Sequence, residues 1–87
     1  MTRWHLILSG RVQNVGLRFR AKMTAQRFQV TGWIHNLDDG DVELELQGDQ
    51  HRIDQCLEAI RRLPGVQFSI KWADECPPIS ETRFHIR

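Results

Sequence analysis

The fold is limited most strongly by the order of two hydrophobic periodicities along the 87 residues, that of a helix and that of a strand. Two segments place apolar residues at the spacing of an amphipathic helix, and the segments around them alternate apolar and polar residues as strands do. The strand-like segments are residues 3–9, 31–37, 41–47 and 66–72, with a short final one containing Phe84 and Ile86. Because the two periods are incompatible, this order constrains both the element types and the topology.

The helical segments have recognisable ends. The first begins at Leu17 and continues through Phe28 with apolar or small residues at helical spacing. The second follows Asp49, a residue type suited to capping a helix N-terminus, and ends before Pro64-Gly65. Its apolar stripe consists of Ile53, Cys56, Leu57, Ile60 and Leu63. Both stripes are typical of helices that pack one face on a core.

The two middle strands form a predicted hairpin. Asp38-Asp39-Gly40, a strong turn signal, separates residues 31–37 from residues 41–47. The predicted order is β-α-β-β-α-β plus a short extra C-terminal strand. It indicates an α+β fold, a ferredoxin-like α/β sandwich with two helices on one face of an antiparallel sheet.

Composition and charge argue against a protein that binds nucleic acid or a membrane. Residues 1–87 suffice for a single domain, and a net charge of +1 gives no general attraction to nucleic acid or an anionic membrane. Glu43 and Glu45 lie where an RNA-recognition module of this topology would carry aromatic and basic side chains. The longest early apolar run, residues 6–8, is too short for a signal peptide, so we expect a cytoplasmic protein. Nothing in the sequence demands more than a monomer, and a monomer is expected.

The cysteines and histidines indicate no metal or cofactor site. Cys56 and Cys76 form neither a CxxC pair nor a zinc-ligand pair, and Cys56 is expected to be a buried small hydrophobe. The four histidines, His5, His35, His51 and His85, have no metal-ligand spacing. No metal and no cofactor are therefore predicted.

The junction between the first strand and the first helix, Gly10 to Arg18, could bind an anion. A helix N-terminus presents unpaired N–H groups and the positive end of its dipole. The first turns nevertheless carry Arg18, Arg20 and Lys22, although acidic side chains would suit that end better. A bound anion would resolve this conflict, but so would cations that simply face water. Charge placement alone leaves both interpretations open.

Two longer sequence motifs favour the interpretation that this loop binds an anion. Residues 10–18, Gly-Arg-Val-Gln-Asn-Val-Gly-Leu-Arg, resemble the phosphate-loop signature G-x-V-Q-G-V-x-[FY]-R of the acylphosphatase family. Residues 32–36, followed by Gly40-Asp41-Val42 and Gly48, resemble its second signature, G-[FYW]-x-x-N-x(3)-G-x-V-x(5)-G. The spacing between the motifs and the closing residues 84–86 also fit, so the resemblance covers nearly the whole chain.

The resemblance implies metal-independent hydrolysis of the carboxyl–phosphate bond of acyl phosphates. Its small-molecule partners would be an acyl phosphate and inorganic phosphate, with no nucleic acid and no membrane. Arg18 would grip the phosphate, and Asn36 would orient the attacking water. The phosphate-binding residues implied are Val12, Gln13, Asn14, Val15, Gly16, Leu17 and Arg18. Strand alternation is consistent with the role of Asn36, because it places Asn36 on the same face of the strand as Ile34 and places Trp33 and His35 on the other face.

Three positions depart from the family pattern. Asn14 and Gln29 stand where many members have Gly, and Leu17 stands where Phe or Tyr is usual. Asn is the non-glycine residue best suited to a left-handed conformation. Because of these departures a second interpretation stays open, in which the chain is a weakly active or inactive acylphosphatase-like domain with a phosphate-binding or regulatory role.

Overall fold

The computed structural model describes all 87 residues and confirms the predicted order of elements. The strands are β1 (Thr2–Arg11), β2 (Thr31–Asn36), β3 (Val42–Gly48), β4 (Gln67–Cys76) and β5 (Phe84–Ile86). The helices are α1 (Leu17–Arg27) and α2 (Gln50–Arg61). Asp49 occupies the predicted N-cap of α2, although its side chain makes no capping hydrogen bond.

All five strands form one sheet in the order β4-β1-β3-β2-β5. The four long strands pair antiparallel, as predicted for a ferredoxin-like sandwich, but β5 pairs parallel with β2. The sheet is therefore mixed rather than wholly antiparallel. The connection explains why: β4 ends beside Arg3, in the same row as Gln47 and Thr31. Residues 77–83 cross the sheet along this row, so β5 starts where β2 starts and runs in the same direction.

The crossing segment is attached to the sheet by polar contacts. The side chain of Gln47 donates to the carbonyl of Ile79 and accepts from its N–H, each at 2.8 Å. Arg3, only 2% exposed, contacts Glu45 at 2.6 Å and Glu81 at 2.8 Å. Burial alone would lower the pKa of Arg3, but the hydrogen bonds to Glu81 and Glu45 outweigh it and raise the pKa. Arg3 therefore stays charged and ties the segment to the face of the sheet away from the helices.

The main core lies between the sheet and the two helices. It is built from the predicted stripes of α1 and α2 and from the inward-facing residues of the strands. Cys56 is fully buried there, as predicted, and its burial raises the thiol pKa to about 12. Because a protonated, inaccessible thiol is a poor nucleophile, Cys56 serves packing. Both Cys56 and Cys76 are free cysteines.

Strand β4 is confirmed, but its apolar residues are not all buried. Val66, Phe68, Ile70 and Trp72 alternate along the chain as expected of a strand, yet Ile70 is 40% exposed and Trp72 55% exposed. Two features explain the difference. β4 is an edge strand, and its register with β1 shifts between Ile7 and Leu8, which pair with Trp72 and Ile70. The extra residue, Lys71, moves Trp72 to the opposite face of the sheet.

The end of α1 explains one departure from the family pattern. Gln29 has a φ of 58°, and its N–H donates to the carbonyl of Gln26, while the N–H of Val30 donates to Ala25. These two bonds form a Schellman motif, in which glycine is the usual left-handed residue. Gln29 therefore occupies a position where a side chain is unfavourable.

We expect Gln29→Gly to raise the free energy of unfolding by about 1 kcal/mol, because glycine adopts the left-handed conformation without steric cost. Urea denaturation monitored by circular dichroism measures the change. The matched control is Gln26→Gly, an exposed position inside α1, where the same replacement should destabilise by about 0.5–1 kcal/mol. If both variants changed stability in the same direction, the assigned strain at Gln29 would be wrong.

Candidate functional site

The loop between β1 and α1 turns through two left-handed residues. Asn14 has a φ of 63° and Gly16 a φ of 69°, and Gly16 is the N-cap of α1. No side chain caps this helix, and its first turn contains no acidic residue. The N-terminal N–H groups and the positive end of the dipole are therefore not neutralised by the protein. The backbone at Asn14 shows that asparagine adopts the conformation for which the family usually uses glycine.

Two side chains brace the loop from opposite ends. Gln13 Nε2 donates to the carbonyls of Leu37 and Asp41, at 2.8 and 2.9 Å. Arg20 donates from its guanidinium to the carbonyl of Val15 at 3.0 Å. Charge placement alone could not separate Arg20 from Arg18, whereas the loop motif singled out Arg18, and the fold now shows that Arg20 bonds its own loop. Gln13 links the loop to the β2–β3 hairpin, which carries Asn36.

The hairpin is itself held to β4. Lys71 Nζ lies 2.9 Å from Asp41 Oδ2, and Asp41 N–H donates to Asp39 Oδ1 at 2.9 Å. The hydrogen bond from Lys71 lowers the pKa of Asp41, and the same contact raises the pKa of Lys71. Both groups therefore remain charged across the neutral range. The bulge residue of β4 thus anchors the hairpin that presents Asn36.

The loop, the start of α1, the end of β2 and the end of β5 enclose a cavity of about 360 Å³. It brings together both predicted catalytic residues, Arg18 and Asn36. Six of the seven predicted loop residues line it: Val12, Gln13, Asn14, Gly16, Leu17 and Arg18. The seventh, Val15, is half-buried and packs against the main core. Phe19 and Ile86 complete the lining, and neither was singled out as a site residue from the sequence.

Asn36 lies on the face that strand alternation predicted. Ile34 is buried in the main core, and Asn36 lies two residues further along the same face, in the cavity. Trp33 faces the other side, where the guanidinium of Arg87 lies 4.0 Å from its ring centroid. The Oδ1 atom of Asn36 is buried and has no hydrogen-bond partner in the protein. A buried polar atom without a partner is uncommon and calls for an explanation.

No histidine lines the cavity. His5 instead lies 2.7 Å from Glu43 Oε2 on the opposite face of the sheet. No group of three or more His, Cys, Asp or Glu side chains is arranged to hold a metal ion. Neither α1 nor α2 has the length and apolarity that crossing a membrane would require.

The fold and the cavity define a class: a ferredoxin-like α/β sandwich in which an uncapped helix N-terminus, an arginine and an asparagine line one small cavity. The sequence model of the acylphosphatase family matches residues 4–86. An acylphosphatase of Bacillus velezensis is 44% identical over 62 residues, which cover 71% of this chain and 69% of that protein. The chain belongs to the acylphosphatase family, a family of enzymes.

Solved structures agree with this assignment. The crystal structure of acylphosphatase from Bacillus subtilis is similar with a TM-score of 0.85 and 29% identity, covering 100% of this chain and 99% of that chain. An acylphosphatase structure from Coxiella burnetii gives a TM-score of 0.82 and 31% identity, covering 99% of this chain and 92% of that one. The resemblance and the fold class predicted from the sequence are thereby confirmed.

Proposed function

We propose that this protein hydrolyses the carboxyl–phosphate bond of acyl phosphates to a carboxylate and inorganic phosphate, without a metal ion. One observation carries the proposal: the cavity that holds Arg18 and the uncapped start of α1 also holds Asn36, whose Oδ1 is buried and unpartnered. Arg18 and the start of α1 are suited to bind a negatively charged phosphoryl group, and the Asn36 oxygen is suited to accept a hydrogen bond from a water molecule.

The phosphoryl group would be held by the loop. Backbone N–H groups of residues 12–18 and the dipole of α1 favour its negative charge, and the guanidinium of Arg18 can form paired bonds to its oxygens. Arg18 is exposed and forms no ion pair with a carboxylate of this chain, so its charge is available for the ligand. Because Gln13 and Arg20 fix the loop, these donors are organised before substrate binds.

The attacking water would be oriented by Asn36. Its Oδ1 accepts a hydrogen bond from one water O–H, which leaves a lone pair of the water oxygen for the phosphorus atom. As the new P–O bond forms, the bond between phosphorus and the carboxyl oxygen breaks and its electron pair leaves with the carboxylate. Both water protons go to the phosphate product, from which solvent can take one, and none is transferred to Asn36. A carboxamide is a poor base, so its role here is direction rather than deprotonation.

The chemistry explains why so few groups would suffice. A carboxylate is a weak base, because carboxylic acids have a pKa of roughly 4 in water, so its departure needs no general acid. Phosphoryl transfer passes through a loose transition state in which the protein mainly positions groups and stabilises charge. A phosphomonoester has a far more basic leaving group and would require help that the cavity lining does not offer.

The proposal treats residues 1–87 as one catalytic domain acting on small molecules. That the protein is a cytoplasmic monomer without nucleic-acid or membrane partners stays a prediction from the sequence.

Phosphate release from benzoyl phosphate in the presence of EDTA tests the proposed function, with phenyl phosphate as the matched phosphomonoester. We expect turnover of benzoyl phosphate that EDTA does not change, and no measurable turnover of phenyl phosphate. Loss of turnover with EDTA would contradict metal independence. Binding of inorganic phosphate without any turnover would instead support the weakly active or inactive phosphate-binding domain.

A further inference from the structure

Two exposed apolar residues stand beside the phosphate loop. Phe19 is 64% exposed on the first turn of α1, and Ile86 is 40% exposed on β5. Both line the cavity that contains Arg18 and Asn36. The other apolar lining residues, Val12 and Leu17, are 1% and 2% exposed and belong to the main core. Core packing therefore explains the apolar character of Val12 and Leu17. It does not explain that of Phe19 and Ile86, which form the exposed apolar rim of the cavity.

The cavity is larger than a phosphoryl group needs. The cavity volume is about 360 Å³, and one water takes up roughly 30 Å³ in the liquid. A phosphoryl group with its bridging oxygen has only five heavy atoms, so it and one water leave much of the cavity free. The rest is available to the acyl part of the substrate.

The rim is built on regular structure. Phe19 directly follows Arg18 in α1, which packs against β2 and β5. Ile86 pairs in register with Ile34, and the bond from Arg87 N–H to the carbonyl of Ile34, at 2.9 Å, holds the chain just after it. A site built on a helix and a strand holds its geometry better than one built on a mobile loop.

The charge of the lining restricts the acyl group further. Arg18 is the one charged residue among the nine that line the cavity, and the proposed function assigns it to the phosphoryl group. A charged acyl group would therefore find no second charged partner in the lining and would lie beside apolar side chains instead. An aromatic acyl group could stack against Phe19 and cover Ile86, which removes apolar surface from water.

We propose that Phe19 and Ile86 form the acyl-binding subsite and make the enzyme selective for acyl phosphates with apolar, preferably aromatic, acyl groups. This inference rests on the proposed acyl phosphate hydrolysis. The loop encloses the phosphoryl end, and the acyl group extends from it along the exposed rim. The subsite binds ground state and transition state alike, so it acts mainly on KM.

The test compares kcat/KM for benzoyl phosphate with kcat/KM for acetyl phosphate, whose methyl group is too small to reach both side chains. Wild-type protein should favour benzoyl phosphate. In the double variant Phe19→Ala/Ile86→Ala the ratio of the two values should fall roughly 5- to 20-fold, chiefly through a higher KM for benzoyl phosphate. Phe19→Leu, which keeps an apolar side chain without the ring, should lie between.

Met23→Ala is the matched control. Met23 is 50% exposed one turn further along α1, and it does not line the cavity. This variant should keep the wild-type ratio. Circular dichroism establishes that each variant is folded, and the single variant Phe19→Ala, at an exposed helical position, provides the test if Ile86→Ala is unstable.

The outcomes separate the two proposals. If wild-type protein hydrolyses neither substrate, the proposed function fails. If it hydrolyses both, and the benzoyl-to-acetyl ratio in folded variants stays within twofold of wild type, the subsite is wrong although the function stands. A ratio lowered equally by Met23→Ala would also overturn the subsite, because the effect would then not depend on the cavity.

Discussion

Arg18→Gln is expected to lower kcat/KM for benzoyl phosphate about 100- to 1,000-fold, the range for loss of one preorganised charge-stabilising group. Arg18 lines the same cavity as Asn36, and its guanidinium forms no ion pair with an acidic side chain. Glutamine keeps a polar side chain but removes the charge and the paired donor geometry. Inhibition by inorganic phosphate should weaken in parallel, because the same group binds the product.

Stability should behave differently. A cation in the first turn of a helix opposes the dipole, so Arg18→Gln should leave the free energy of unfolding unchanged or raise it by a few tenths of a kcal/mol. Arg27→Gln makes the same charge change in the last turn of α1, outside the cavity, and should keep full activity. An Arg18→Gln enzyme with activity within threefold of wild type would contradict the assigned role.

The architecture was predictable because its local signals agree. The stripe of α2, the turn at residues 38–40 and the alternation of β3 each indicate the same layered arrangement, and the structure confirms the stripe, the turn and the buried apolar face of β3. The polar face of β3 was predicted to be solvent-exposed, but Gln47 is buried there because the crossing segment bonds to it. Agreement between local and global preferences is what makes a sequence specify one fold. Asn36 was placed correctly for the same reason, since strand alternation fixes the face once Ile34 is known to be buried.

Other features depend on contacts between residues far apart in sequence, so periodicity could not show them. The bulge at Lys71 depends on the register between β4 and β1, and it exposes Trp72. The burial of Arg3 depends on Glu81, which the crossing segment brings to it. A charged residue in a strand ordinarily indicates solvent, and only a distant partner makes its burial acceptable.

The candidate site also combines features that the sequence predicts with features that only the fold shows. The phosphate loop and Asn36 are visible in the sequence because each belongs to a continuous motif. Phe19 and Ile86 are 67 positions apart, and the parallel pairing of β5 with β2 brings the second of them to the cavity. The sequence predicted the terminal strand but not its direction, so it could not show that this strand supplies part of the site.

Asn36→Ala is expected to reduce kcat for benzoyl phosphate at least 100-fold while leaving the protein as stable as wild type or more stable. The loss of activity follows from the loss of the group proposed to direct the water, with a magnitude on the order of other single positioning and charge-stabilising groups. The stability follows from the buried Oδ1 without a partner. Removing such an atom relieves a desolvation cost of about 1–3 kcal/mol, part of which the lost packing offsets.

This opposite movement of activity and stability distinguishes a functional asparagine from a structural one. An asparagine retained for turn formation would lose stability on replacement and keep its turnover. His35→Ala is the matched control, because His35 is the neighbouring residue on the other face of β2 and lies outside the cavity. Steady-state kinetics and urea denaturation of both variants measure the two effects. Full activity in Asn36→Ala, or a stability loss with unchanged kcat, would show that the unpartnered oxygen does not direct the water.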